Sequence, residues 1–442
     1  MLKAGPAAAK IVHDPAMTDY IDTWYRRSLV GETVYPPRAG RHEFETCVIG
    51  GGLAGLSAAH DLAACGRSVI LLEARRIAWG ASGRNGGFLT PGYATGLDAI
   101  ERRVGREAAD TLYRLSMEGV DIVRDRLAQW QVPGSHLSAG VIYATRYDSG
   151  ETLRREAEVE NARFGRRLQF LDRDALGARL NSTRYFQALL DPEASHFHPL
   201  NYAQALAARI TGQGGTIAEE SPALKVEKHA GGHLVTTPQA RIAARHVVFA
   251  GGGYSDGVAP ALARAFLPIA TYVMLTEKLG ARVHEIIRTR AAIADDRRAG
   301  DYYRLVDGDR LLWGGRITTA RNADATAITA SLRRQMVGTY PALADAKIEL
   351  AWSGLMSYAR HLMPQIGRLE EGLWYCTGFG GHGLNTTAVG GRLVAEAITG
   401  SSDRYRHFAP FGLAWAGGPI GLMAAQATYW YLQAMDWWRE RR

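Results

Sequence analysis

Three glycines, Gly50, Gly52 and Gly55, stand as G-x-G-x-x-G between a short apolar run at residues 47–49 and a run of helical periodicity over 53–65. That spacing puts backbone N–H groups at the start of a helix, those of Leu53 and Ala54 among them, where they can hold a diphosphate with the helix dipole behind it. A second apolar run, 68–72, ends in Glu73 and Ala74. A carboxylate about twenty residues past the glycines, at the end of the second strand, accepts hydrogen bonds from both hydroxyls of a ribose and repels a 2′-phosphate. Together these features read as a site for the adenosine end of a dinucleotide.

Two further glycine clusters decide which dinucleotide. Residues 79–87, WGASGRNGG, crowd glycines around Arg84 and Asn85. Glycine permits close approach of a ligand or of another chain segment, at an entropic cost, so something is expected to come near this loop. Residues 378–383, GFGGHG, again lie between an apolar run and a helical one, with Gly380, Gly381, His382, Gly383 and Leu384 at the turn. An elongated FAD meets all three clusters. Its adenine end lies on the first, its ribityl chain passes the second, and the last helix N-terminus faces the flavin pyrimidine edge, which gains negative charge on reduction.

The elements that must position these residues follow from the patterning. Residues 47–74 form one βαβ unit, and 246–250 and 373–400 repeat the strand and glycine-turn pattern. Residues 97–130 are helical and charged, GVIYATR from Gly140 reads as a strand elsewhere, and Pro199 fits the first turn of a helix. Asp307, Gly308 and Asp309 make a hairpin turn. The fold class expected is α/β: a Rossmann FAD-binding domain of discontinuous segments with an α+β substrate domain built on a mostly antiparallel sheet. We assign 1–43 to an N-terminal arm, 44–97, 190–262 and 352–408 to the FAD domain, 98–189 and 263–351 to the substrate domain, and 409–442 to a tail helix.

Composition agrees with two or three folding units: in 442 residues, 47% are apolar and 22% charged. The net charge of +8 is mostly arginine interspersed with acids, without the dense basic block of a nucleic-acid footprint. Cys47, Cys65 and Cys376 have neither disulfide nor zinc spacing, which fits a reducing cytoplasm. His196 and His198 lack further ligands at metal-binding spacing. Residues 414–435 carry no charge but are broken by Gly417, Gly418 and Pro419. This tail reads as a helix docked on the protein body, with peripheral membrane contact or a homo-oligomer interface as alternatives.

The segments CVIGGGLAGLSAAHDLA, GASGRNGG, HPLN, DYYRL with RLLWGG, MPQIGR and GFGGHGLNTTAVGGRLVAE together resemble the FAD-dependent D-amino-acid oxidase and glycine oxidase superfamily, from about Asp19 to the C-terminus. The resemblance is strongest to its polyamine-oxidising members and extends to the arm, making Met17 the natural start. It implies that Ser82, Arg84, Asn85, Gly86 and Gly87 lie along the ribityl chain and one flavin face. Val226 would hold the adenine through its backbone, and Ala250 and Gly251 would pass close to the diphosphate. Arg84 also has the reading of an internal salt bridge, and His382 those of a flavin neighbour, an acid–base group or a packed histidine.

In α-amino-acid oxidases of the superfamily an arginine grips the substrate carboxylate bidentately, and the matching run here, residues 354–367, has Met356 in that place. This favours a small-molecule amine, of polyamine or glutamylated polyamine type, over a simple amino acid. Arg304 or Arg316 from another strand keeps a D-amino-acid or glycine oxidase in play. His382, Tyr302, Arg304 and Trp352 are the candidates for the reaction centre. No cysteine falls in the segment that carries covalent flavin in related enzymes, so FAD is expected to be non-covalent. A single dinucleotide fingerprint leaves oxygen, a quinone or a protein carrier as the electron acceptor. A flavin-binding protein without turnover is the alternative of another class.

Overall fold

The computed structural model describes residues 19–255, 257–297, 300–319 and 325–440, so the expected extension at 1–16 lies outside them. Among the described residues seventeen strands run in chain order as β1 Gly40–Ile49, β2 Val69–Leu72, β3 Phe88–Leu89, β4 Ser138–Ala144, β5 Gln169–Leu171, β6 Ala188–His196, β7 Thr216–Ala218, β8 Lys225–His229, β9 Gly232–Thr236, β10 Ala240–Phe249, β11 Phe266–Thr276, β12 Ala292–Asp295, β13 Tyr302–Val306, β14 Arg310–Thr318, β15 Ile348–Ala359, β16 Gln365–Glu370 and β17 Leu373–Thr377.

The first sheet has the order β16-β17-β10-β1-β2-β7, with β9 and β8 added beside β10. Its centre is parallel: β1 pairs in parallel with β10 and β2, β2 with β7, and β10 with β17. β2 is buried at all four residues, as a parallel strand covered on both faces should be. The helices Leu53–Ala64 and Gly383–Thr399 pack together on one face, where a Cβ on Gly391 would sit 2.6 Å from the Ala58 nitrogen. The second sheet, β15-β11-β14-β13-β12-β4-β6-β3 with β5 beside β6, is antiparallel throughout except for β4 with β12. Behind it the Tyr303 and Trp313 rings stack at 4.1 Å, and the Tyr303 hydroxyl is 2.8 Å from that of Tyr340.

Four strands depart from the segment boundaries read in the sequence, the first being β1, whose residues 40–43 lie in the segment assigned to the arm. β3 and most of β6 fall in segments assigned to the FAD domain, yet both belong to the second sheet, as does β15 through Ala359. The expected boundaries at 190 and 352 therefore cut strands whose length is set by pairing with β4 and β11. Val306 pairs with Arg310, so Asp307, Gly308 and Asp309 make a three-residue turn in which Asp307 and Gly308 have φ of 52° and 83°.

The helix Gly418–Arg439 docks through Tyr429, whose hydroxyl accepts from the Ile317 N–H at 2.9 Å, and Gln426, whose carbonyl accepts from the Thr319 N–H at 3.0 Å. Glu440 pairs with Arg184 at 2.9 Å. Its other face exposes Ile420, Met423, Trp430, Tyr431, Trp437 and Trp438. Among the described residues no helix is long and apolar enough to cross a membrane.

Candidate active site

A cavity of about 550 Å³ runs between the two sheets, from Pro222 and Ala223 past the first glycine turn to Thr271, Arg316 and Tyr358. Its first end is built by the β1 turn. A Cβ on Gly55 would come within 1.9 Å of the Gly50 carbonyl oxygen, so glycine there lets the helix start against the strand. Gly50, Gly52, Leu53, Ala54, Ala250 and Gly251 line the wall, whereas Gly55 acts behind it. The Leu53 N–H already donates to Ser82 Oγ at 3.0 Å, which ties the 79–87 loop to the helix N-terminus.

Glu73 lines the cavity while accepting from the Gly51 N–H at 2.6 Å and the Arg75 N–H at 2.9 Å. Burial raises its pKa, and these two N–H groups work against that rise. Ala74 lies beside it at the rim. Val226 does not line the cavity: it sits on β8, paired across to β9, and Pro222 and Ala223 form the wall instead.

The 79–87 loop closes on itself. Asn85 Nδ2 donates to the carbonyls of Ala81 at 3.0 Å and Ser82 at 2.9 Å, and its Oδ1 accepts from the Gly87 N–H at 2.8 Å. Arg84 forms no salt bridge among the described residues. It donates to the Trp79 carbonyl and lies 4.2 Å over the Trp79 ring, and burial lowers its pKa. The approach that the glycines permit comes largely from the protein itself. A Cβ on Gly86 would meet the Tyr302 ring at 2.5 Å, and one on Gly87 the Phe197 carbonyl oxygen at 2.4 Å. The loop's other face, from Ser82 to Gly87, is open to the cavity.

At the late turn Gly380, Gly381, His382, Gly383 and Leu384 all line the cavity. His382 precedes the helix Gly383–Thr399 without capping it through its side chain, so N–H groups of the first turn remain at the wall. The His382 Nε2 lies 3.1 Å from the Pro91 carbonyl and 3.0 Å from Thr90 Oγ1. The carbonyl can only accept, so Nε2 carries a proton, and burial holds the ring below its ordinary value of 6.5. His382 thus ties the late turn to Thr90 and Pro91, the residues that follow β3.

Tyr302 is in the wall, its ring edge-on to Phe88 at 5.6 Å. Arg304 and Trp352 are not, which corrects their candidacy. Arg304 is buried and donates to the Gly86 carbonyl at 2.8 Å, the Phe197 carbonyl at 3.0 Å and the Tyr25 hydroxyl at 3.1 Å, and its Nη1 lies 3.2 Å from His196 Nδ1. It therefore has no fork left for a substrate carboxylate. The Trp352 indole donates to the Arg84 carbonyl at 2.9 Å. Both support the loop from behind.

His196 also reaches the Arg290 carbonyl at 2.8 Å, and burial beside Arg304 lowers its pKa to about 3. Cys47 and Cys376 are buried in strands and, like Cys65, stay off the wall. Sequence reading missed Tyr143, Tyr254, Thr271 and Tyr358 in the lining, and it missed Tyr25 of the arm, whose hydroxyl donates to the Asn85 carbonyl at 2.6 Å. The aromatic cluster DTWYRRSL was the one available signal for Tyr25.

Residues 45–397 match the family of FAD dependent oxidoreductases. The chain belongs to this family. As a FAD-dependent oxidoreductase it is 33% identical to gamma-glutamylputrescine oxidoreductase of Escherichia coli over 89% of this chain and 92% of that one. It is 23% identical to glycine oxidase of Geobacillus kaustophilus over 86% of this chain and 99% of that one. The crystal structure of that glycine oxidase superposes with a TM-score of 0.71 at 20% identity, covering 84% of this chain and 99% of the other. L-proline dehydrogenase from P. horikoshii gives a TM-score of 0.69 at 20% identity, covering 85% of this chain and 100% of the other. These superpositions show a shared fold.

The cavity fits the cofactor on its own chemistry. One end offers a buried carboxylate and a helix N-terminus, the middle a closed glycine loop with a buried guanidinium that has no carboxylate partner among the described residues, and the far end a second helix N-terminus.

Proposed function

We propose that this flavoenzyme oxidises an amine of the polyamine or γ-glutamylated polyamine type at a C–N bond, with FAD held non-covalently. The product imine takes up water to give an aldehyde with release of ammonia or an amine. Electrons then leave to oxygen, a quinone or a protein carrier.

The observation that carries the reading is the wall beside the late glycine turn. Met356 lines it in place of a guanidinium, its sulfur 3.6 Å from where a Cβ on Gly381 would stand. The likeness to gamma-glutamylputrescine oxidoreductase supports the same reading.

Bound FAD supplies the two-electron acceptor for hydride from the carbon that bears a neutral amine. The chain's part is orientation and exclusion of water. Phe88, Tyr302 and Tyr358 wall the reacting end, and burial pushes the Tyr358 phenol up to about 12, so it stays protonated. First-turn N–H groups after His382 point positive charge at the wall. Ser82, Arg84, Asn85, Gly86 and Gly87 hold the ribityl chain on this reading, Glu73 the ribose, and Ala250 and Gly251 the diphosphate side.

Introducing the missing guanidinium tests this. Met356→Arg is expected to lower turnover of the amine, because a buried cation without a partner repels a cationic chain. It should also open weak turnover of glycine or a D-amino acid, since a bidentate contact orients the carboxylate. Steady-state kinetics on both classes decides: wild-type preference for α-amino acids, weakened by Arg316→Ala, would overturn the reading.

A further inference from the structure

The far end of the cavity holds one cation in an unusual backbone state. Thr271 of β11 pairs with Ile317 and Tyr272 pairs with Gly315, so Arg316 is the extra residue of a β-bulge. Its φ is 56°, in the left-handed region where glycine is the unstrained choice. A bulge re-aims a side chain, and strain of this kind persists where the surrounding structure over-determines it. Here the Thr271 hydroxyl donates to the Arg316 carbonyl at 3.4 Å, and Tyr429 of the tail helix accepts from the next residue's N–H at 2.9 Å.

Arg316 is among the residues that line this end of the cavity, its Nη1 donates to Ser331 Oγ, and it has no carboxylate partner among the described residues. Among the described lining residues the only carboxylate is Glu73, at the opposite end. The acid beside Gly315, Asp301, is taken by Arg146 and Arg297, so a second ammonium at this end would find a like charge and no free acid, whereas a carboxylate would find the guanidinium donors that Ser331 leaves over.

We propose that Arg316 is a carboxylate subsite, and that the preferred substrate is an amine whose far end carries a carboxylate. This rests on the amine reading above for the reacting end and adds the group that selects the substrate. Plain diamines are then poor substrates, and amines acylated by an amino acid or a dicarboxylic acid are good ones.

The test uses the holoenzyme and Arg316→Gly, which suits the bulge and should not lower the melting temperature. On γ-glutamylputrescine the variant should lose about 10- to 100-fold in kcat/KM, mostly in KM, as expected for one charge-assisted contact. Turnover of N-acetylputrescine, which lacks the carboxylate, should be unchanged. Arg316→Lys should recover part of the loss. In parallel, glutarate, which cannot be oxidised, should perturb the flavin absorbance of the wild type and not of Arg316→Gly. Equal losses on both amides, or glutarate binding that is absent from the wild type or unaltered in the variant, would overturn the subsite. Glutarate binding that depends on Arg316, in an enzyme whose flavin no amine bleaches, would uphold the subsite and remove the amine reading instead.

Discussion

Replacing Glu73 with alanine is expected to weaken FAD binding by about ten- to a hundredfold, the worth of one charge-assisted acceptor at roughly 1.5–3 kcal/mol. The structure gives two reasons for a loss at the upper end. The carboxylate lines the cavity where the ribose is proposed to lie, and it also accepts the Gly51 and Arg75 N–H groups that shape the phosphate turn. Alanine strands both donors. Glu73→Gln keeps one carbonyl oxygen and should fall between. The variant should shed yellow colour on gel filtration, and titration with FAD followed by flavin fluorescence gives the affinity. Full flavin content after extensive dialysis would show that the adenosine end lies elsewhere.

A second large effect is expected at Gly87, this time on stability. Its φ is +82°, and an added Cβ would stand 2.4 Å from the Phe197 carbonyl oxygen and 2.6 Å from Arg304 Nη2. Neither neighbour can retreat: the Phe197 oxygen is backbone, and Arg304 holds four partners. Gly87→Ala should therefore cost about 3 kcal/mol or more, of which the left-handed backbone alone explains roughly 1–2. Gly31 is the control, with φ of +70° and nothing within 4 Å of its added Cβ. Thermal melts of the two variants should separate them widely. Equal melting temperatures would mean that the 79–87 loop is not packed as described.

The contrast between these glycines shows what the sequence could and could not carry. The βαβ unit was legible because glycine spacing, helical periodicity and a terminal acid are all local: the helix Leu53–Ala64 and β2 follow them closely, and β1 ends where they put it but begins at Gly40, well before the apolar run at 47–49. The hairpin at Asp307 and Gly308 was legible for the same reason. Arg304 and Trp352 were misjudged because strand alternation gives the face and not the distance along it. Tyr302 and Arg304 share a face of β13, as Met356 and Trp352 share one of β15. Two residues of strand span about 6.6 Å, enough to carry Arg304 past the cavity into the contacts of Tyr25. The glycines of the 79–87 loop announced a close approach, but nothing local told that Tyr302 and Phe197, from distant segments, were among what approached. The sheet membership of β3, β6 and β15 depends on non-local pairing in the same way.

The central claim, that an amine is the donor to bound flavin, is tested most directly without oxygen. Holoenzyme mixed anaerobically with γ-glutamylputrescine, putrescine, glycine and D-alanine should lose its flavin absorbance band fastest with the first. Glycine and D-alanine should leave the band nearly intact. Rapid bleaching by the α-amino acids alone would contradict the account, and so would a band that no amine changes although dithionite abolishes it.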